Sequence, residues 1–162
     1  QTNDYLTGPE TLPLLKEALI GCELESFSFG TGFTLLSRPE GVADLAQNLV
    51  SPRLDARCEL LDPDLDWTTT LAAFPVKTNE PEEPLLAAMF LKLRWDGGLI
   101  DAVELLGAAG LSVHWQDGSN LRVHPLLSAP GLDWLVVPQV STPDWFVRSE
   151  GGEIEGRWPG SP

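Results

Sequence analysis

Beyond its first twenty residues, this chain carries its apolar side chains in short alternating runs, each closed by Gly, Pro, Asp or Asn. Alternation puts successive side chains on opposite faces, the pattern of half-buried strands, and the punctuation leaves little room for long helices. The runs are Leu24–Phe29, Phe33–Leu36, Thr68–Val76, Leu111–Trp115, Leu121–Val123, Leu132–Val137 and Trp145–Arg148. Ile100–Leu106 fits either a strand or a helical turn. Gly30-Thr31-Gly32 precedes a strand-like run rather than a helix, so it reads as a hairpin turn and not a phosphate cradle.

The sharpest local expectation lies at Gln116-Asp117-Gly118. If Leu111, Val113 and Trp115 face the core, Leu121 and Val123 must face it too, because a slip of one residue would turn every side chain over. Pairing Val113 with Leu121 leaves Gln116–Gly118 as a three-residue loop whose last position suits a left-handed glycine. Ser112, His114, Arg122 and His124 then share the outer face.

Two stretches depart from the strand texture. Pro9–Ile20 spaces Leu12, Leu15 and Leu19 as one face of a short helix, with prolines in its first turns, Thr7 or Thr11 as cap and Gly21 as its end. Gly41–Leu49 carries Val42, Leu45, Ala46 and Leu49 at helical steps. The fold class expected is therefore α+β, mainly antiparallel sheet with two or three short helices, in a single domain over residues 1–162. Leu19-Ile20, Gly32–Leu35 and Leu65-Asp66-Trp67 recur in the same order as Leu99-Ile100, Gly110–Val113 and Leu132-Asp133-Trp134. This suggests pseudo-repeated halves, 1–78 and 85–162, joined by the loop 79–84.

Charge narrows function more than fold. Twenty-four acidic residues against ten basic ones give a formal net charge of −14 on 162 residues. Affinity for phosphate backbones would be opposed, so nucleic acid is excluded as a ligand and a basic protein is the expected partner. Hydrophobic content of 43% and twelve Trp and Phe residues argue against disorder at this charge. No apolar stretch approaches the ~20 residues of a membrane span, and no basic segment precedes an apolar block at the N-terminus. A cytoplasmic protein is expected, although Gln1 in place of Met leaves a removed leader or tag open. Cys22 and Cys58 are too few for a disulfide framework and are expected as free, buried thiols.

No residue pattern names a catalytic chemistry or a cofactor. His114 and His124 lack further ligands at metal-site spacing. Asp62, Asp64 and Asp66 open like a calcium loop, but Trp67 occupies the sharp-turn position and Ala73 the place of the bidentate Glu. With Asp55 and Glu59 these carboxylates read instead as an acidic turn able to receive Lys and Arg of a partner. Glu80, Glu82 and Glu83, interleaved with Pro81 and Pro84, form a solvated acidic loop suited to the same role. Trp67, Trp95, Trp115 and Trp134 adjoin apolar runs and are expected in the core. Trp145 and Trp158 lie in the Pro- and Gly-rich tail beside Asp144, Glu153 and Glu155, where they would serve either as exposed partner contacts or as a clamp on the sheet.

The short helix, the Leu19–Gly21 entry, the strand–Gly–strand unit Phe27–Leu36 and the following Trp-bearing strand together resemble small acidic bacterial immunity proteins. The resemblance implies a cytoplasmic protein without cofactor whose acidic face blocks a cognate toxin by stoichiometric binding. Partner contacts would then fall on Asp62, Asp64, Asp66, Glu80, Glu82, Glu83, Trp145 and Trp158. Two alternatives stand beside it: a small enzyme with a carboxylate-based site, and a chaperone or adaptor with an exposed aromatic patch.

Overall fold

The computed structural model describes residues 4–29, 32–39, 51–56, 87, 90–123, 131–140 and 143–158. Among them the chain is predominantly antiparallel sheet with short helical segments, an α+β architecture. Seven strands form one sheet in the order β1 (Asp4–Thr7), β10 (Glu153–Trp158), β9 (Phe146–Glu150), β8 (Leu132–Pro138), β4 (Pro52–Ala56), β3 (Phe33–Pro39) and β2 (Cys22–Phe29). Three more, β5 (Ile100–Leu106), β6 (Gly110–Trp115) and β7 (Asn120–Val123), form a second sheet. The expected second helix at Gly41–Leu49 and the run Thr68–Val76 lie outside the described residues. No described helix is long and apolar enough to cross a membrane.

The N-terminal segment splits where its prolines sit. A 3-10 turn, Gly8–Thr11, precedes α1, Leu12–Leu19, and each has a proline within its first two positions, where a missing N–H costs nothing. Thr7 donates to the Glu10 carboxylate from both its backbone N–H (3.3 Å) and its hydroxyl (3.0 Å), which fixes the entry to the turn. Leu14, Leu15 and Leu19 are buried on one face of α1.

Period-two alternation is strict where the sheet buries only one face. Phe33, Leu35 and Ser37 of β3 and Pro52, Leu54 and Ala56 of β4 are buried, whereas Thr34, Leu36, Arg38, Arg53 and Asp55 face outward. The hairpin of β6 and β7 has the expected register, Val113 opposite Leu121, with Gly118 at φ +91° closing the three-residue loop. Gly118 N–H donates to the Trp115 carbonyl at 3.0 Å, and Trp115 N–H to that of Ser119 at 2.9 Å. Ser112 departs from the expectation of an exposed outer face. It is 1% exposed, because it occupies the central strand between Glu104 of β5 and Arg122 of β7.

Two of the three segment pairs behind the suggested repeat occupy unlike elements, and Leu65-Asp66-Trp67 lies outside the described residues. Leu19-Ile20 ends a helix while Leu99-Ile100 enters a strand, and Phe33–Leu35 and Gly110–Val113 lie in different sheets. The larger sheet takes strands from both sides of residues 79–84, with β4 beside β8 and β1 beside β10. Local apolar matches in short strands reflect a shared two-residue period rather than a shared position.

One core joins the layers. Leu15 of α1, Phe33, Trp134, Val136 and Val147 of the larger sheet, and Val103, Leu111, Val113, Leu121 and Val123 of the smaller one are almost fully buried. Trp115 and Trp134 are core residues, at 2% and 0% exposure. Cys22 is a free, buried thiol whose Sγ–H donates to the Ala18 carbonyl at 3.5 Å. Burial pushes this thiol up to about 11, above an ordinary 9.0. The unfolded chain therefore releases its proton first, and the folded state holds more protons between about pH 9 and pH 11. Stability is expected to fall as pH rises through that window, and thermal midpoints of the parent and Cys22→Ala should converge there. Parallel pH profiles of the two proteins would exclude this linkage.

Candidate functional site

Of the residues nominated from sequence, Asp62, Asp64, Asp66, Glu80, Glu82 and Glu83 lie outside the described residues, as do Cys58, Glu59, Trp67 and His124. Trp145 and Trp158 are half-buried, tilted against each other at 6.3 Å between ring centroids and packed on the core. Trp145 lies just before β9 and Trp158 ends β10, so the two rings meet where these paired strands adjoin. Asp55 is held within its own sheet, accepting from Thr34 Oγ1 at 2.7 Å and Arg53 Nε at 3.1 Å.

The outer face of the larger sheet carries a shallow depression of about 490 Å³, lined by Ser26, Ser28, Thr34, Arg53, Asp55 and Gln139. Its charged pair is already matched internally, and its walls, which also include Phe27 and Leu36, stand open to solvent rather than enclosing a water-excluding pocket. A second open depression of about 510 Å³ lies where the 3-10 turn meets the β5–β6 turn, between Pro9, Leu12, Glu104 and Leu105. Elsewhere on that outer surface Arg148 pairs with Glu155, and Arg38 with Glu23 at 2.9 Å.

Glu104, Ser112 and His114 come together on the outer face of the smaller sheet. Ser112 Oγ lies 3.0 Å from His114 Nε2, and Glu104 Oε2 lies 3.9 Å from the same nitrogen. A nucleophilic triad needs its base between two partners, with one ring nitrogen on the hydroxyl and the other on the carboxylate. Here both partners share Nε2, and the serine is buried. The trio holds one hydrogen bond, between Ser112 and His114 within β6, with the Glu104 carboxylate set opposite on the adjacent strand β5. Among the described residues no group of three His, Cys, Asp or Glu side chains is placed to hold a metal ion.

The residue that sequence reasoning misplaced is Trp95. Expected in the core, it is 74% exposed. It stands on a π-helical turn, Leu93–Gly97, whose inward residues Leu93 and Gly97 are buried while Arg94, Trp95 and Asp96 point outward. Five residues of π-turn give no helical periodicity from which to assign a face, so an apolar neighbourhood in sequence misled. Short π-helical insertions concentrate at functional sites, which is the signal that backbone geometry adds. The Arg94 guanidinium lies 5.5 Å from the centre of the indole, and Arg94 Nε donates to the Glu25 carbonyl at 2.7 Å.

Glu25 is itself the unpaired residue of a bulge in β2, where Leu24 pairs with Ser37 and Ser26 with Leu36. The sheets contain two further bulges, and their extra residues are Asp101 and Asp133. Bulges re-aim side chains at strand edges, and at Glu25 the re-aimed carboxylate comes within 4.0 Å of Arg38. Hydrogen bonding to Glu23 and the nearby Glu25 charge hold the Arg38 guanidinium still further above its ordinary range. The turn that carries Trp95 and Asp96 meets β2, whose Glu23 bridges Leu99, and the hairpin tip at Asp117, whose N–H donates to the Gly97 carbonyl at 3.2 Å. The chain matches no protein-family model, no curated protein and no solved structure.

Proposed function

We propose that this chain is a stoichiometric protein-binding inhibitor that engages a basic partner through its acidic surface, the role an immunity protein plays opposite a toxin in the cytoplasm. The observation that carries the reading is the charge, 24 acidic against 10 basic residues, which makes the protein a repulsive surface for phosphates and an attractive one for Lys and Arg. Two features among the described residues fit a binding surface. Both depressions are open, and the Ser112–His114–Glu104 cluster lacks the geometry of an activated nucleophile.

Purification of the protein with its partner from the native host, with the partner identified by mass spectrometry, provides the pair for a kinetic test. Association should slow by about tenfold between low and physiological ionic strength, because steering by the −14 field is screened over about 8 Å at physiological salt. In the same assay, changing Asp62, Asp64 and Asp66 to Asn, or Glu80, Glu82 and Glu83 to Gln, should weaken binding without moving the thermal midpoint. An on-rate indifferent to salt would remove the electrostatic basis of the proposal.

A further inference from the structure

Trp95 is exposed, yet the turn beneath it is held from several directions. Leu93 is 2% exposed and Phe90, at the preceding helical residues, is fully buried. Arg94 ties the turn to the β2 bulge, and the Gly97 carbonyl ties it to the β6–β7 hairpin tip. Gly98, at φ +73°, has a backbone that strains any other residue, and a Cβ there would press on Gln116 Oε1 at 2.7 Å. That same oxygen accepts the Leu99 N–H at 2.9 Å. The indole is therefore presented on a preorganised platform, so little backbone freedom remains to be lost on binding.

The carboxylates nearest the indole in sequence and on the adjoining hairpin tip are Asp96 and Asp117. Glu23 and Glu25 lie on the strand that touches the turn, where Arg38 pairs with Glu23 and comes within 4.0 Å of Glu25; Arg94 is held by the Glu25 carbonyl, and Lys92 is exposed just before the turn. Arg94 over the ring shows that this indole accepts a cation at 5.5 Å. We infer that Trp95 is the anchor for the basic partner, with a Lys or Arg side chain of that protein laid on the indole and the carboxylates of Asp96 and Asp117 matching neighbouring positive charge. This inference rests on the binding role proposed above and names its docking point. An aromatic residue that adds a cation–π contact to charge complementarity is the composition of an interface hot spot.

The test uses the full chain labelled with nitrogen-15 and a hexapeptide of alternating Arg and Gly, with a citrulline-for-arginine peptide as the uncharged control. Six tryptophans give six indole N–H resonances, and Trp95→Phe assigns the one that matters. The arginine peptide should shift the Trp95 indole and the amides of Leu93–Gly98 saturably at low salt, and the citrulline peptide should not. Trp95→Ala should weaken peptide binding by about tenfold, Trp95→Phe by less, with thermal midpoints unchanged because the ring is exposed. If the arginine peptide saturates shifts elsewhere and leaves Trp95 still, the anchor is overturned while the acidic-surface reading stands. If no resonance moves at low salt, both fall.

Discussion

Replacing Trp134 with alanine is expected to cost about 3–5 kcal/mol, a large part of the stability of a domain this size. Trp134 is 0% exposed in β8, and its indole N–H donates to the Ala109 carbonyl at 2.9 Å. Ser149 Oγ, on the adjacent β9, donates to that same carbonyl at 2.9 Å. One oxygen in the β5–β6 turn thus receives two donors from the larger sheet, and this clip joins the two sheets. The arrangement makes a prediction about coupling as well as magnitude. Ser149→Ala alone should cost about 1 kcal/mol, because Trp134 still satisfies the carbonyl. Ser149→Ala combined with Trp134→Phe removes both donors and strands a buried oxygen, adding a penalty of about 1–3 kcal/mol that neither single change incurs. Urea unfolding of the four proteins measures it, and strict additivity would show that the shared carbonyl does not couple the sheets.

Phe90→Ala is expected to have a comparable effect, about 3–5 kcal/mol, and a consequence beyond stability. The Phe90 ring is fully buried against Phe33, Phe27 and Phe29, with centroids at 5.3, 5.5 and 6.1 Å. Tilted pairs of this kind contribute beyond the area they bury. Phe90 is also the apolar root of the segment that runs into the π-turn, so its loss should loosen the platform under Trp95. Hydrogen exchange at the amides of Leu93–Gly98 should accelerate more than at the β6–β7 hairpin, and Phe90→Leu should restore most of the protection by refilling the volume. A loss under about 1 kcal/mol with exchange unchanged at the turn would mean that Phe90 does not anchor it.

Elements with local signals were legible in the residues alone. Alternation in Phe33–Leu36 and Leu111–Trp115, stopped by turn residues, specified strands, and the parity of a three-residue loop ending in Gly118 specified the pairing of Val113 with Leu121. Those features depend on a two-residue period and on glycine stereochemistry, both readable within a dozen residues. The excess of carboxylates was equally plain, and it carries the functional reading. Which distant strands meet follows from packing across the whole fold. Asp4–Thr7 pairs with the tail strand Glu153–Trp158, and Pro52–Ala56 enters between β3 and β8. No local pattern names such partners, because each pairing is chosen by burial summed over the whole core. Trp95 shows the same limit at a single residue. Its hydrophobicity favoured burial, but Leu93, Gly97 and Phe90 fill the inner side of its segment, and a π-turn of five residues can bury only one side. The indole was left outside by its neighbours' packing, a competition among side chains that composition alone does not resolve.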